Sequence, residues 1–424
     1  MKSFIAVILV LIFTLAPVSV MAGKILIPMD LEQTDHLKAY GIAYLVLTYG
    51  QTVEWLLNYR GGSFLTDDTP QIEQLCNLRG VKFNVISGGQ EAEIRSTIEE
   101  NNMESVILEK APKIAIYAPP FSKEEPWDDA VNLALTYAEI PYDVIWDVEV
   151  LQGRLADYDW LHLHHEDFTG QYGKFYAAHR NTDWYKQIKA LSETTARELG
   201  YKKVSRLKRD VALAIKNFVA NGGFLFAMCS ATDTYDIALA AQKTDIVPEE
   251  YDGDPVDPDC QSKLDYSQCF AFENFTVELN PMIYEHSDID TGPTRGRRNF
   301  GPANDFFTLF DFSAKFDPVP TMLVQDHTPV VNGFWGQTTG FRKDLIKKHV
   351  IIMGETENIN EAKYIHGNFG KGTFTFLGGH DPEDYQHFVG DPPTDVSLHK
   401  NSPGYRLILN NVLFPAAKKK ERKT

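Results

Sequence analysis

The sequence predicts an α/β protein whose core is a doubly wound parallel sheet. Buried parallel strands have short, continuous apolar runs, and the chain carries such runs at 24–28, 81–86, 113–118, 143–148, 160–164 and 224–228. Apolar stripes with helical spacing separate several of these runs. One stripe ends at Gly222 and Gly223, immediately before the last run. This alternation is typical of a parallel sheet with helices on both faces.

The first 22 residues have the composition of a signal peptide. Lys2 precedes an apolar run over residues 4–15, and Pro17 leads to a small-residue end at Ala22. The run is shorter than the roughly 20 residues that a membrane span requires, and no later segment stays apolar for that length. We therefore expect an exported protein without a membrane span, periplasmic or secreted.

The rest of the chain is predicted to have two α/β parts. Residues 23–111 alternate strand and helix patterns of their own and predict an N-terminal α/β half. Residues 112–413 predict the main α/β domain, whose late strands at 350–353 and 373–377 precede a closing helix at 405–413. Within it, 242–343 is rich in Pro, Asp, Gly and Phe and predicts a loop-rich insertion that covers the site. Residues 414–424 form a basic tail.

Charge and cysteine content narrow the range of partners. The formal net charge of -17 at pH 7 disfavours nucleic acid and anionic lipid, because an acidic surface repels both. We expect a small-molecule, peptide or carbohydrate ligand and no bound cofactor.

Four cysteines are too few for a disulfide scaffold. Cys260 and Cys269 are nevertheless close enough in sequence that a disulfide between them is an open alternative. Cys76 is expected to be buried in a helix.

The first candidate site lies where the run 224–228 ends. Cys229 follows at once and a helix begins near Thr232, so the pattern predicts a thiol exposed on a tight strand-to-helix turn. The helix N-terminus is expected to lower the pKa of that thiol and to favour the thiolate. The backbone N–H of Ser230 could serve as an oxyanion donor. The alternative is a small buried cysteine that closes a strand.

A second candidate site follows the strand predicted at 373–377. Glycines end this strand, the second being Gly379, and His380 comes next with the carboxylates of Asp381 and Glu383 beside it. An imidazole that a carboxylate orients is the base that a thiol nucleophile requires. The alternative is a histidine that only caps a turn.

A third cluster occupies the end of the run 160–164. Strand alternation places His162 and His164 on one face, and His165 and Glu166 follow at the strand end. Such residues can line a polar pocket or bind zinc or another transition metal. Pocket lining is the preferred interpretation, and a zinc-type ion held by the three histidines is the alternative.

The elbow at Cys229, the glycine–glycine–histidine turn at 378–380 and the alternation between them resemble the class I glutamine amidotransferase-like superfamily, over roughly residues 113–413. The resemblance implies a flavodoxin-like sheet. It also implies that Cys229 attacks an amide carbonyl and that His380 is its base.

Further roles follow from the same resemblance. The family's carboxylate lies two residues after the histidine, where this chain has Pro382, so Asp381 or Glu383 would take that role. The loop after His162 to His165 would contribute to an oxyanion hole.

The whole chain, including the segments 24–30 and 58–62, also resembles exported bacterial proteins labelled asparagine synthetase B. The N-terminal cysteine and the ATP-binding Ser-Gly-Gly-x-Asp-Ser loop of true asparagine synthetases do not occur in this sequence. Our leading hypothesis is a cysteine-dependent amide or acyl hydrolase. Its pocket is lined by His162, His164, His165, Glu166, Ser230 and Gly379. The alternatives are a non-catalytic sugar- or peptide-binding protein and a metal-assisted hydrolase.

Overall fold

The computed structural model describes residues 23–120, 127–292, 303–317, 325–357, 359–385 and 388–417; the predicted signal peptide and the tail beyond 417 lie outside them. The strands are β1 (Lys24–Ile27), β2 (Val53–Leu57), β3 (Ser63–Asp67), β4 (Asn84–Ile86), β5 (Glu104–Leu108), β6 (Ile114–Tyr117), β7 (Asp143–Ile145), β8 (Trp160–Leu163), β9 (Phe224–Met228), β10 (Phe306–Leu309), β11 (Val330–Trp335), β12 (Phe341–Arg342), β13 (Ile351–Thr356), β14 (Glu361–Phe369), β15 (Gly372–Leu377) and β16 (Asp381–Pro382). The helices are α1 (His36–Thr48), α2 (Pro70–Arg79), α3 (Gly88–Glu100), α4 (Ala130–Ala138), α5 (Asp147–Leu151), α6 (Tyr176–His179), α7 (Asp183–Glu198), α8 (Val204–Ala220), α9 (Ala231–Ala240), α10 (Glu249–Asp252) and α11 (Pro403–Leu413). Among the described helices, none has the length and apolar character of a membrane span.

The N-terminal sheet is antiparallel. Its five strands have the order β4-β1-β3-β2-β5, and each neighbouring pair runs antiparallel. The connection from β2 to β3 is a tight turn in which Asn58 and Arg60 have φ angles of 61° and 46°. A connection this short joins antiparallel strands, since a parallel pair needs a crossover of a dozen or more residues. The parallel arrangement expected from strand and helix alternation is therefore wrong for this part of the chain.

The larger sheet is mixed. Five strands, in the order β7-β6-β8-β9-β15, are parallel, and they include the predicted runs at 113–118, 160–164 and 224–228. The run at 143–148 is strand only as far as Ile145 and then becomes α5. Antiparallel strands β14, β13, β10, β11 and β16 continue the sheet beyond β15. The protein is thus a mixed α/β structure with both parallel and antiparallel strands.

Helices cover both faces of the parallel strands. On one face α1, α4 and α11 contact one another, and on the other α8 contacts α5, α7 and α9. Side chains of β9 alternate between the two apolar cores that these helices cover. Phe226 and Met228 belong to one core, and Leu225 and Ala227 belong to the other. The apolar runs of β6, β8 and β9 are continuous because both sides of these strands are buried.

The segment 242–343 is partly sheet rather than only a covering loop. Strands β10 and β11 lengthen the mixed sheet, and β12 pairs with β14. All four cysteines are free thiols, so no bridge joins Cys260 to Cys269. The Cys269 thiol instead donates to the backbone oxygen of Asp236 at 3.2 Å. Cys76 is buried in α2, as predicted.

Candidate functional site

The structure brings the three predicted clusters to one edge of the large sheet. Strands β6, β8, β9 and β15 are parallel neighbours, so their carboxyl ends meet at the edge where open α/β sheets bind ligands. The residues that follow these strands are Asp128 and Asp129 after β6, His164 and His165 after β8, Cys229 after β9, and His380 and Asp381 after β15.

The backbone of Cys229 is strained. Its φ angle is 49°, in the left-handed region that residues with a side chain rarely occupy, between the end of β9 and the start of α9. Strain of about 1–3 kcal/mol at such a residue persists only where the surrounding structure enforces it. The backbone N–H of Cys229 donates to the oxygen of Gly379 at 3.0 Å, which fixes the cysteine elbow against the turn that carries His380.

Gly379, which the sequence predicts to line the pocket, has a structural role at the turn before His380. Its φ angle is 98°, and a Cβ atom at this position would lie 1.6 Å from the backbone oxygen of Phe334. Its N–H donates to the oxygen of Thr338 at 2.9 Å, and its own oxygen accepts from Cys229. Only glycine fits this position, because any side chain would collide with the neighbouring backbone.

The Cys229 thiol is buried, which corrects both the predicted exposure of the thiol and the predicted lowering of its pKa. Its residue is 2% exposed, although it lines a cleft. Burial raises the pKa of the thiol, and the carboxyls of Asp381 and Asp233 raise it further, while the N–H of Ser230 lowers it only in part. The predicted thiolate is therefore not favoured at rest, because loss of solvation outweighs the helix N-terminus.

His380 is oriented by a carboxylate. Its Nδ1 is hydrogen-bonded to Asp381, which is fully buried. Burial raises the pKa of Asp381 well above its usual value, and Asp128 nearby adds to this effect. Of the two predicted orienting groups, Asp381 is the one bonded to Nδ1, whereas Glu383 donates its backbone N–H to the oxygen of Asn332 at 3.4 Å.

His162 and His164 share one carboxylate. Asp129 Oδ1 lies 3.5 Å from Nε2 of His162 and 3.4 Å from Nδ1 of His164, and these two ring nitrogens are 3.2 Å apart. The other nitrogen of His162, Nδ1, lies 3.0 Å from the oxygen of Phe226, so this ring is enclosed within the sheet. Burial lowers the pKa of His164 to about 4, which leaves its imidazole neutral at pH 7.

The remaining predicted residues shape the loop after β8. The indole N–H of Trp127 donates to Nε2 of His165 at 2.7 Å. The hydroxyl of Ser230 donates to the backbone oxygen of His165 at 2.9 Å, and Glu166 accepts from the backbone N–H of His164 at 2.9 Å. Ser230 and Glu166 therefore hold the loop that presents His165.

A cleft of about 490 Å³ opens beside these groups. Cys229, His165 and His380 all line it, so these three residues border a common space. Other lining residues are Trp127, Lys174, Phe175, Tyr284, Trp335 and Gln337. Several of these belong to 242–343, so that segment forms part of the cleft wall. A wall of apolar and aromatic side chains with a few polar groups is typical of ligand-binding sites.

Asp128, Asp129 and Lys174 escape prediction from the sequence. Asp129 accepts from the backbone N–H groups of Val131 and Asn132 at 2.8 and 3.0 Å, so its local pattern is that of an ordinary helix N-cap. The available signal is position, since both aspartates follow a predicted buried strand directly before a helix.

Comparison with known proteins gives little further information. No family model and no curated protein matches the chain. The cytoplasmic protein STM3548 from Salmonella typhimurium is 12% identical, with a TM-score of 0.35 over 72% of this chain and 100% of that one. STM1381 from Salmonella typhimurium LT2 is 12% identical, with a TM-score of 0.34 over the same shares. Gan42B, a GH42 beta-galactosidase, is 10% identical, with a TM-score of 0.25 over 65% of this chain and 28% of that one. Similarities this weak carry no argument about fold or activity.

Proposed function

We propose that this chain is a cysteine-dependent amide or acyl hydrolase of the class I glutamine amidotransferase-like type. The observation that carries the proposal is the left-handed backbone of Cys229 at a strand-to-helix elbow, bonded to the turn that holds His380. Strained elbows of this kind present nucleophiles in α/β hydrolases. The parallel strand order β7-β6-β8-β9-β15 supports a flavodoxin-like core, since it equals the order 2-1-3-4-5 of that fold.

The proposed reaction proceeds through a thioester. His380 accepts the thiol proton at Nε2 while the Cys229 sulfur bonds to the amide carbon, and the carbonyl electron pair moves to oxygen, which the N–H of Ser230 stabilises. The C–N bond then breaks, and the leaving nitrogen takes the proton from His380. Water next gives a proton to His380 and adds to the thioester carbon. The carbon–sulfur bond breaks, and the proton returns to sulfur as the carboxylic acid leaves.

Because the Cys229 thiol is buried, His380 acts as a general base in the proposed reaction. Because the pKa of Cys229 is raised, the resting thiol is neutral and its proton must leave as the new bond forms. This is the role of a general base and not of a permanent ion pair. Asp381 holds Nδ1 of His380 and thereby directs Nε2 to the reacting atoms.

The cleft limits the class of substrate. Its volume of about 490 Å³ suits a small molecule or a short peptide or sugar derivative, and its aromatic walls favour substrates with flat or apolar faces. Export, proposed from residues 1–22, would place this activity in the periplasm or outside the cell.

The second candidate is a non-catalytic binding protein for a sugar or peptide in the same cleft. The observation that favours it is the burial of Cys229, which keeps the thiol neutral and poorly reactive. This alternative predicts an unreactive thiol and a rise in melting temperature when the ligand is added.

Labelling with an electrophilic amide analogue that reacts with thiols distinguishes the hydrolase from the binding protein. We expect one label per chain, located at Cys229 by peptide mass analysis, and its loss in Cys229→Ala. The matched control is Cys76→Ala, whose thiol is also buried but lies in α2 away from the cleft, and which should label as the unchanged protein does. We expect His380→Gln to slow labelling by roughly 10²–10⁴-fold, the usual contribution of a general base. Labelling that survives in Cys229→Ala would refute the hydrolase.

A further inference from the structure

Three imidazoles converge beside the cleft, which two of them, His165 and His380, line. His164, His165 and His380 each offer one ring nitrogen, and the three nitrogens lie within 4.8 Å of one another. The rings of His164 and His380 have centroids 4.4 Å apart, and those of His165 and His380 are stacked at 5.9 Å. Zinc holds histidine nitrogens at about 2.0–2.1 Å, so tetrahedral ligands need a mutual spacing of about 3.4 Å. The nitrogens would therefore approach one another by at most about 1.4 Å when an ion binds.

Two of the three rings are oriented by carboxylates. Nδ1 of His164 lies 3.4 Å from Asp129, and Nδ1 of His380 is bonded to Asp381. Carboxylates at the second nitrogen are the usual support of zinc-bound histidines, because they fix the ring and increase its basicity. In both residues the supported nitrogen is Nδ1, which leaves Nε2 as the metal-binding atom.

The buried Nε2 atom of His164 is a second, independent observation that points to a bound metal ion. The residue is fully buried, and among the residues that the structure describes no hydrogen-bond partner reaches its Nε2 atom. A buried ring nitrogen without a partner costs about 1–3 kcal/mol. A metal ligand role accounts for it, since coordination would satisfy this atom.

The bond from Trp127 opposes the third ligand. The indole N–H donates to Nε2 of His165, so in the neutral ring Nδ1 carries the proton. Coordination through Nδ1 moves that proton to Nε2, where it would meet the indole hydrogen. His165 therefore binds a metal only when the Trp127 bond is broken, and this bond weakens the site.

We propose that His164, His165 and His380 form a binding site for zinc or a similar divalent transition ion. The site differs from the one that the sequence indicates, because His162 is enclosed by Phe226 and Asp129 and is replaced by His380. The ion and Cys229 compete for His380, since Nε2 cannot hold a metal and accept the thiol proton at once. This regulatory consequence rests on the proposed function, whereas metal binding itself does not.

Equilibrium dialysis against zinc, with elemental analysis, tests the site directly. We expect one ion per chain in the unchanged protein and in Cys229→Ala, and at least 100-fold weaker binding in His164→Ala and His380→Ala. His179→Ala is the matched control, because His179 lines the same cleft outside the cluster, and it should bind as before. Unaltered stoichiometry and affinity in both cluster variants would overturn the proposal.

Two conservative variants keep the test valid if His164→Ala fails to fold. Asp129→Asn retains the helix cap and should weaken binding by roughly 10- to 100-fold through the lost carboxylate. Trp127→Phe keeps the aromatic ring and should tighten binding by roughly three- to tenfold, because the opposing hydrogen bond is gone. Weaker binding in Trp127→Phe would remove His165 from the ligand set.

Cobalt substitution and thiol labelling separate the two proposals. The cobalt protein should show tetrahedral d–d bands without a thiolate charge-transfer band, and a thiolate band would replace the three-histidine set with one that contains Cys229. Saturating zinc should slow labelling of Cys229 at least tenfold in the unchanged protein and leave the rate in His164→Ala unaltered. Metal binding without any labelling would refute the hydrolase alone, and labelling that zinc does not affect would refute the competition.

Discussion

Two buried polar clusters lie on opposite faces of the parallel strands, and they differ in how their charges are matched. On the face packed against α8, Lys208 donates to Asp147 at 2.9 and 3.0 Å and to the hydroxyl of Tyr117 at 2.8 Å. On the other face, His164 has an unsatisfied nitrogen among the described residues, and Asp381 lies beside a second carboxyl from Asp128. Among the described residues, the charged groups of the first cluster are matched, whereas Nε2 of His164 in the second has no hydrogen-bond partner.

This difference in charge matching distinguishes the cluster that stabilises the fold from the cluster that forms the candidate site. A buried ion pair persists when each charge has its counterpart, as Lys208 and Asp147 do. The His164 nitrogen that lacks a partner among the described residues, the neighbouring carboxyls and the strained Cys229 all lower stability, and such features concentrate where a protein binds or reacts. The parallel strands thus support a stabilising cluster on one face and, on the other face near their carboxyl ends, a reactive one.

Breaking the complete cluster should have the largest effect on stability. Lys208→Met leaves the buried carboxylate of Asp147 uncompensated, so we expect the free energy of unfolding to fall by about 3–5 kcal/mol in urea titrations. The control is Asp157→Asn in the exposed pair with Arg154, which should change it by less than about 1 kcal/mol. A loss below 1 kcal/mol in Lys208→Met would show that the two clusters do not differ as described.

Lys174 is intermediate between the two clusters, because its buried ammonium has hydrogen-bond partners in backbone oxygens. The pH dependence of the free energy of unfolding should show this. Its buried ammonium donates to the backbone oxygens of Glu278 and Asn280, and burial lowers its pKa from 10.5 to about 8. Between pH 8 and 10.5 the unfolded chain binds more protons at this residue, so the free energy of unfolding rises with pH, by at most roughly 3 kcal/mol. The difference between the unchanged protein and Lys174→Met should show this rise. A difference that stays flat across this pH range would contradict the account.

The smallest effect should come from the strained elbow. Cys229→Gly removes the left-handed strain that Cys229→Ala keeps, so the glycine variant should be more stable by about 1 kcal/mol. In α2 the order should reverse, and Cys76→Gly should be less stable than Cys76→Ala by about 1 kcal/mol. Equal stabilities at position 229 would mean that the elbow stores no strain.

Local sequence patterns identified the elements that carry the reactive side chains. The apolar run at 224–228 is β9, the helix predicted from Thr232 begins at Ala231, and the run at 373–377 belongs to β15. The sequence missed β14, which contains the buried Lys363. This ammonium donates to the backbone oxygens of Phe334 and Thr339, and such compensation by distant groups is invisible in a local pattern.

The sequence by itself determined, to within about one residue, where β6, β8, β9 and β15 end, because periodicity and turn residues act within a few positions of the chain. Tertiary structure alone decided the antiparallel N-terminal sheet, the addition of Asp128 and Asp129 to the site, and the choice of Asp381 as the partner of His380. It also decided that the pKa of Cys229 is raised. The physical reason is that solvation and the meeting of side chains depend on strand order and depth of burial, which arise only when distant segments pack together.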